Sequence, residues 1–376
     1  MPFTPLRFQS ALAVGGGGGL ALMPFVLMQF TFSHAGKLVT MHDLAGGYNA
    51  ATLFLVPVML VSTVLHFFLI AQMSIEFVRW AREPGALRAF LSDPASNTGI
   101  FSPMVALGMT VNVVLGPVAF FLPEFSEQVP TWVAFGIYPY ALLVLALVAV
   151  SLVVAKSWFF RGGRAVAFNF NWLLDVFTWG MVALAGAGIT MAATDEQVAR
   201  WASILTLCSI SVGLFIYGVK GLYLLVSQLV QGSNPAEPLK PAHFVVVPIN
   251  CLFAISIYKI AGYTDKVLGV NLAPIAFVAI VILFATAAFW ILFCLVAFRD
   301  WFVHQFTKPD FYPSQWGLVC VLVGLEVLAV YSHSNYFAST LLLGFSYLSI
   351  AVAAGVYTFV YLKFTGLIKP VKPVNA

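Results

Sequence analysis

Charge is scarce in this sequence: acidic and basic residues make up 9% of its 376 positions, where a soluble domain carries roughly a quarter. With 61% of residues hydrophobic, there is too little polar side chain to cover a globular surface. A large soluble domain is excluded. Cysteine is also sparse, at four residues. Cys208, Cys251, Cys294 and Cys320 each fall inside an apolar run with no Cys-x-x-Cys spacing, so neither a disulfide framework nor a zinc site is suggested. Of the six histidines only His66 lies well inside an apolar run, so a haem held by two histidines is poorly supplied. There is no Walker motif, no glycine-serine nucleophile elbow and no His-Glu-x-x-His. No enzyme activity, cofactor or metal is expected, and the net charge of +4 is too dispersed for a nucleic-acid partner.

What the sequence has is long apolar runs. They lie at 11–32, 48–78, 101–122, 131–155, 165–192, 198–229, 242–262, 270–298, 314–332 and 337–366, each bounded by proline, glycine or charge. Runs beyond roughly 18 residues span a bilayer, so lipid rather than a buried core is the solvent. The expected fold is an all-α integral membrane protein of ten transmembrane helices in five hairpins. It forms one transmembrane domain over residues 1–376 with short tails at both ends. The first run ends in Ser33-His34-Ala35-Gly36-Lys37 without a small-x-small cleavage site, and reads as a retained helix. The longest runs, at about 30 residues and 1.5 Å per residue, reach roughly 45 Å and must tilt or protrude.

Orientation follows from the basic residues, because cytoplasmic loops retain positive charge. One set of segments holds Arg7, Arg79, Arg82, Arg88, Lys156, Arg161, Arg164, Lys240, Arg299, Lys308, Lys363, Lys369 and Lys372. The opposite loops hold only Lys37, Arg200 and Lys266. Both termini are therefore expected in the cytoplasm of a multi-pass plasma (inner) membrane protein. Trp80, Trp158, Trp301 and Trp316 fall at the proposed cytoplasmic ends, and Trp132 and Trp201 at the other side.

Intramembrane polar residues are the candidates for function, because each needs a partner, an aqueous cavity or a neutral state. Asp175 in the fifth span and Lys220 in the sixth fall at similar depth in antiparallel helices, where an ion pair can form. Glu326 in the ninth span lies near the membrane middle, and Lys259 nearer the outer end of the seventh. Facing a dry interior, Glu326 would be neutral; facing a pore, it would be placed to relay protons. Gly15 to Gly19 remove side chains for more than a helical turn, with Gly17 at their centre; they allow either close approach of a neighbour or a wider pore. Asn112, Asn250 and Cys320, in the third, seventh and ninth spans, complete the pore or substrate candidates. Pro24, Pro117 and Pro248 lie within odd-numbered spans, which also hold Asp175, Lys259 and Glu326. The odd-numbered spans are thereby marked as the inner ring.

Three short stretches carry a resemblance. Leu91-Ser92-Asp93-Pro94-Ala95-Ser96-Asn97 leads into the third span, Leu239-Lys240-Pro241-Ala242-His243 followed by Pro248 opens the seventh, and Phe311-Tyr312-Pro313-Ser314-Gln315-Trp316 opens the ninth. Together with ten helices in five hairpins, they resemble the tellurite-resistance/dicarboxylate transporter family, which includes bacterial tellurite-resistance proteins, yeast malate and sulfite transporters, and plant guard-cell slow anion channels. The resemblance implies a pseudo-fivefold bundle with odd-numbered helices around a central pore, commonly assembled as a homotrimer with one pore per subunit. The ninth-helix phenylalanine that closes the pore in that family has no match after Trp316, where Cys320 or Val321 stands instead.

The function expected first is membrane transport of small anions, by a channel or a proton-coupled carrier of an oxyanion or dicarboxylate. Two other readings are a proton-coupled exporter of another small metabolite and a membrane-anchor subunit of a redox complex. Asp175 and Glu326 weigh against simple anion permeation if they line the pore, since unpaired carboxylates repel anions.

Overall fold

A computed structural model describes residues 6–34, 36–44, 49–160, 168–232 and 234–368; the side chains of residues 6–10 are outside that description. Arg161, Arg164, Lys369 and Lys372 of the charge tally, and the side chain of Arg7, therefore lie outside the described residues. Among the described residues, ten helices are long and apolar enough to cross a membrane. They run Ala11–Thr31, Ala50–Ala81, Asn97–Phe121, Pro123–Phe159, Phe170–Ala192, Glu196–Gln231, Glu237–Leu268, Ala273–Ala297, Pro313–Asn335 and Thr340–Phe364, and are called the first to tenth spans. The fourth, at 37 residues, is longer than the hydropathy run alone suggests, and extends toward its start through Pro123 and Glu124.

Burial divides the spans into two classes. Over their most apolar windows the odd-numbered spans are 94%, 56%, 94%, 78% and 67% buried, while the even-numbered ones are 33%, 22%, 33%, 17% and 28% buried. The odd spans are inside and the even ones face outward. The inner helices close into a ring: the first packs on the third, the third on the fifth, the fifth on the seventh, the seventh on the ninth, and the ninth on the first. The second, sixth, eighth and tenth spans each lie along the inner partner of their own hairpin. The second hairpin is more open, for the fourth span leans on the fifth and sixth and meets the third mainly at its ends.

Inner and outer helices also begin differently. The second, sixth and tenth spans open directly as α-helix behind side-chain caps, from Asn49, Asp195 and Ser339. The third, fifth, seventh and ninth spans open instead with a 3-10 segment, at Asn97–Phe101, Phe170–Leu173, Glu237–Val245 and Pro313–Gln315. Proline sits in the first turn of a helical segment at three of these starts, as Pro103, Pro238 and Pro313, where its missing N–H costs little, and Pro241 follows inside the 3-10 segment of the seventh. Pro117, deeper in the third span, lies in a π-helical turn over Val114–Val118, which absorbs the lost hydrogen bond.

The glycine run packs the first span against its neighbours. A β-carbon on Gly18 would lie 2.5 Å from Met109 Cγ and 2.7 Å from His66 Nδ1, and one on Gly17 would lie 3.0 Å from the Tyr357 hydroxyl. His66 fixes the same junction, with Nδ1 donating to the Val14 carbonyl at 3.0 Å and Nε2 3.0 Å from the Thr110 hydroxyl. Many hydroxyls within the spans donate to the carbonyl one turn back, as Thr178 does to Leu174 and Ser256 to Leu252, so these are satisfied without water. The tryptophans divide too. Trp132 and Trp201 are 54% and 58% exposed, as an interfacial belt requires, whereas Trp80, Trp301 and Trp316 are buried packing residues.

Candidate functional site

Among the described residues, two cavities lie inside the ring. The wider, of about 340 Å³, sits at the end where the odd spans begin, and is bounded by the 3-10 starts of the third, fifth, seventh and ninth. Its polar wall is made of neutral groups such as Ser96, Thr98, Ser102, Asn169, Asn171 and Ser314. Helix N-termini carry the positive end of the peptide dipole and point their first N–H groups outward. The third and seventh spans open with no side-chain cap, so the vestibule gathers partial positive charge without any formal cation.

A smaller chamber of about 70 Å³ lies deeper, and all five odd spans contribute to its wall. Gly15 and Gly19 come from the first, Met109 and Asn112 from the third, Met181 from the fifth, Cys251 and Lys259 from the seventh, and Val323 and Tyr331 from the ninth. Phe177, Pro248 and Cys320 touch both cavities and form the neck between them. Among the described residues neither wall contains an aspartate or glutamate, and Lys259 is the one charged side chain. No ion pair or hydrogen bond engages Lys259 among those residues.

The other sequence candidates lie off this route. Asp175 and Lys220 form a buried ion pair, with Nζ to Oδ2 at 2.6 Å. Lys220 also donates to the Trp172 carbonyl at 3.1 Å, and its ammonium sits 3.6 Å from the Trp158 ring centre and 4.6 Å from that of Trp172. Because the fifth span begins at Phe170, Asp175 falls in the first α-helical turn, shallower than the run from 165 suggests. Glu326 is 0% exposed and faces neither cavity; both its carboxyl oxygens lack a hydrogen-bond partner among the described residues. Asn250 is turned outward, donating to the Tyr217 hydroxyl at 3.3 Å and the Val246 carbonyl at 3.0 Å. Gly17 faces Tyr357 of the tenth span. Asn112, Cys320 and Lys259 are the candidates that reach the walls.

Phe177, Met109 and Met181 are among the wall residues that sequence reading missed. A signal for Phe177 existed: once Asp175 is turned toward Lys220, a residue two positions later is ~200° round the helix and faces the axis.

A family described as voltage-dependent anion channel, SLAC1, matches residues 3–365 of the chain. The protein belongs to the SLAC1 family. The resemblance read from the starts of the third, seventh and ninth helices is to this same group, which includes the tellurite-resistance/dicarboxylate transporters. No curated protein matches the chain. In this SLAC1 family member the ninth-span position at the neck is a small thiol, Cys320, and the aromatic side chain at that level comes from the fifth span.

Proposed function

We propose that the protein passes small anions along the axis of its inner ring, from the vestibule through the Phe177 neck into the chamber that holds Lys259. The observation that carries this reading is the charge on the route: walls free of carboxylates among the described residues, with one unpaired ammonium. In a low-dielectric interior one such cation lowers the energy of an anion and raises that of a cation, while helix starts at the vestibule draw anions in. Membership of the SLAC1 family supports the same substrate class. Asp175, which would oppose anion passage if it lay free on the wall, is neutralised by Lys220 and turned away.

The route favours a channel over a proton-coupled carrier, since the described walls offer no carboxylate to relay a proton. One cation in a chamber of about 70 Å³ suits a small monovalent anion such as chloride or nitrate better than a four-carbon dicarboxylate. The finer arrangement follows the family resemblance and the charge tally. It is a pseudo-fivefold subunit in a homotrimer, one pore in each, in the plasma (inner) membrane, with both termini and the vestibule on the cytoplasmic side.

Reconstituted vesicles loaded with chloride or nitrate test the reading. Efflux driven by a membrane potential, unaffected by collapsing a pH gradient, is expected. Lys259→Glu places a fixed negative charge in the chamber and is expected to cut that flux tenfold or more. Equal flux through Lys259→Glu and the parent protein would remove Lys259 from the route.

A further inference from the structure

We propose that Phe177 is the side chain that shuts the neck, and that the buried Asp175–Lys220 pair behind it positions the helix that carries it. The inference rests on the axial route described above. Three residues touch both cavities, and they are not equivalent. Pro248 is fixed by its own ring to the backbone. Cys320 carries a single sulfur. Phe177 alone has both the bulk to fill the neck and free torsions by which to leave it. It is 5% exposed, so its ring is packed into the barrier rather than free in the vestibule.

The position of Phe177 depends on a joint at the start of the fifth span. Phe170–Leu173 is 3-10 helix, and the α-helix starts at Leu174. The two windings differ by ~20° per residue, so moving the joint by one or two residues rolls everything near it about the helix axis. Asp175 lies one residue past the joint and Phe177 three. At ~100° per residue the two face opposite ways, Asp175 outward and Phe177 toward the axis. A roll that loosens one therefore swings the other.

Lys220 holds the outward side. From the sixth span it reaches the Asp175 carboxylate on the α-helical side of the joint and the Trp172 carbonyl on the 3-10 side, bracketing the change of winding. The Trp158 ring beneath the ammonium ties in the fourth span, and its Nε1 donates to Asn97 Oδ1 at 3.2 Å at the start of the third. Outer helices are thus connected through one ammonium to the helix that bears the neck residue. Asp175 and Lys220 touch neither cavity and act through Phe177.

The chain supplies its own probe. Cys251 is 0% exposed and lines the chamber beyond the neck but not the vestibule. With Cys208, Cys294 and Cys320 replaced by serine, the rate at which a small uncharged methanethiosulfonate added on the vestibule side modifies Cys251, read by mass, reports whether the neck is open. Slow labelling is expected with Phe177 present and at least a tenfold faster rate in Phe177→Ala. If the alanine variant does not purify as a folded protein, Phe177→Leu is expected to show the same direction. Labelling unchanged in a folded variant overturns the gate.

Lys220→Met is expected to raise the rate part of the way and to lower the melting temperature. Asp175→Asn combined with Lys220→Met removes the stranded charge, so the melting temperature is expected to recover while labelling stays fast. Recovery of both would make the pair merely structural and overturn its positioning role. Failures separate cleanly. Fast labelling of Cys251 in Phe177→Ala, with no chloride, nitrate, sulfite or malate passing, sinks the route and leaves the gate. Flux that rises in Phe177→Ala while Cys251 stays unreactive sinks the gate.

Discussion

Three ionisable side chains inside the membrane illustrate how differently a buried charge can be accommodated. Lys220 is enclosed by a carboxylate, a carbonyl and two indole faces, and holds the start of the fifth span in place. Lys259 is left without a partner on a chamber wall, where a passing anion can supply one. Glu326 is enclosed without a partner and off the route. Glu326→Gln keeps its shape, so it is expected to leave the rate of anion passage and its pH dependence within about twofold of the parent. Vesicle flux measured across a range of external pH checks this, and loss of pH dependence would restore Glu326 as a proton relay. The Asp175–Lys220 pair was legible in sequence because antiparallel neighbours at equal depth meet. The wall residues were not, since hydropathy locates a span in the bilayer without fixing its rotation about its own axis. Phe177 was hidden for that reason among 35 phenylalanines.

At the scale of elements, inner and outer helices differ in how they begin and how closely they approach. The glycine run announced close packing or a wide pore, and the structure divides it between the two. Gly17 and Gly18 admit Tyr357, Met109 and His66, while Gly15 and Gly19 border the chamber, where a β-carbon on Gly19 would lie 3.0 Å from Val323 of the same wall. Gly18→Ala forces Met109 and the His66 ring to shift, and overpacking of this kind destabilises by about 1–3 kcal/mol. A lowered thermal midpoint in detergent is the expected result. An unchanged midpoint would mean that the junction yields freely. The 3-10 starts were only half visible: proline marks a break but does not choose between two windings of similar energy.

At the scale of the whole molecule, ten spans and their alternating roles were readable because they follow from composition. Lipid demands apolar outer helices, and the odd-numbered helices hold the five-glycine run, Asp175, Lys259 and Glu326, while interior prolines fall in both classes, as Pro57, Pro130 and Pro139 show. The closed order of the inner ring and the open second hairpin depend on side-chain fit, which no hydropathy count contains. The ring encloses the proposed axial route, selective for anions and closed at Phe177. The most direct test is the reversal potential of purified Phe177→Ala in a planar bilayer under a potassium chloride gradient. A current larger than that of the parent protein is expected, reversing near the chloride equilibrium potential. A reversal near the potassium potential, or no current at all, would contradict this route.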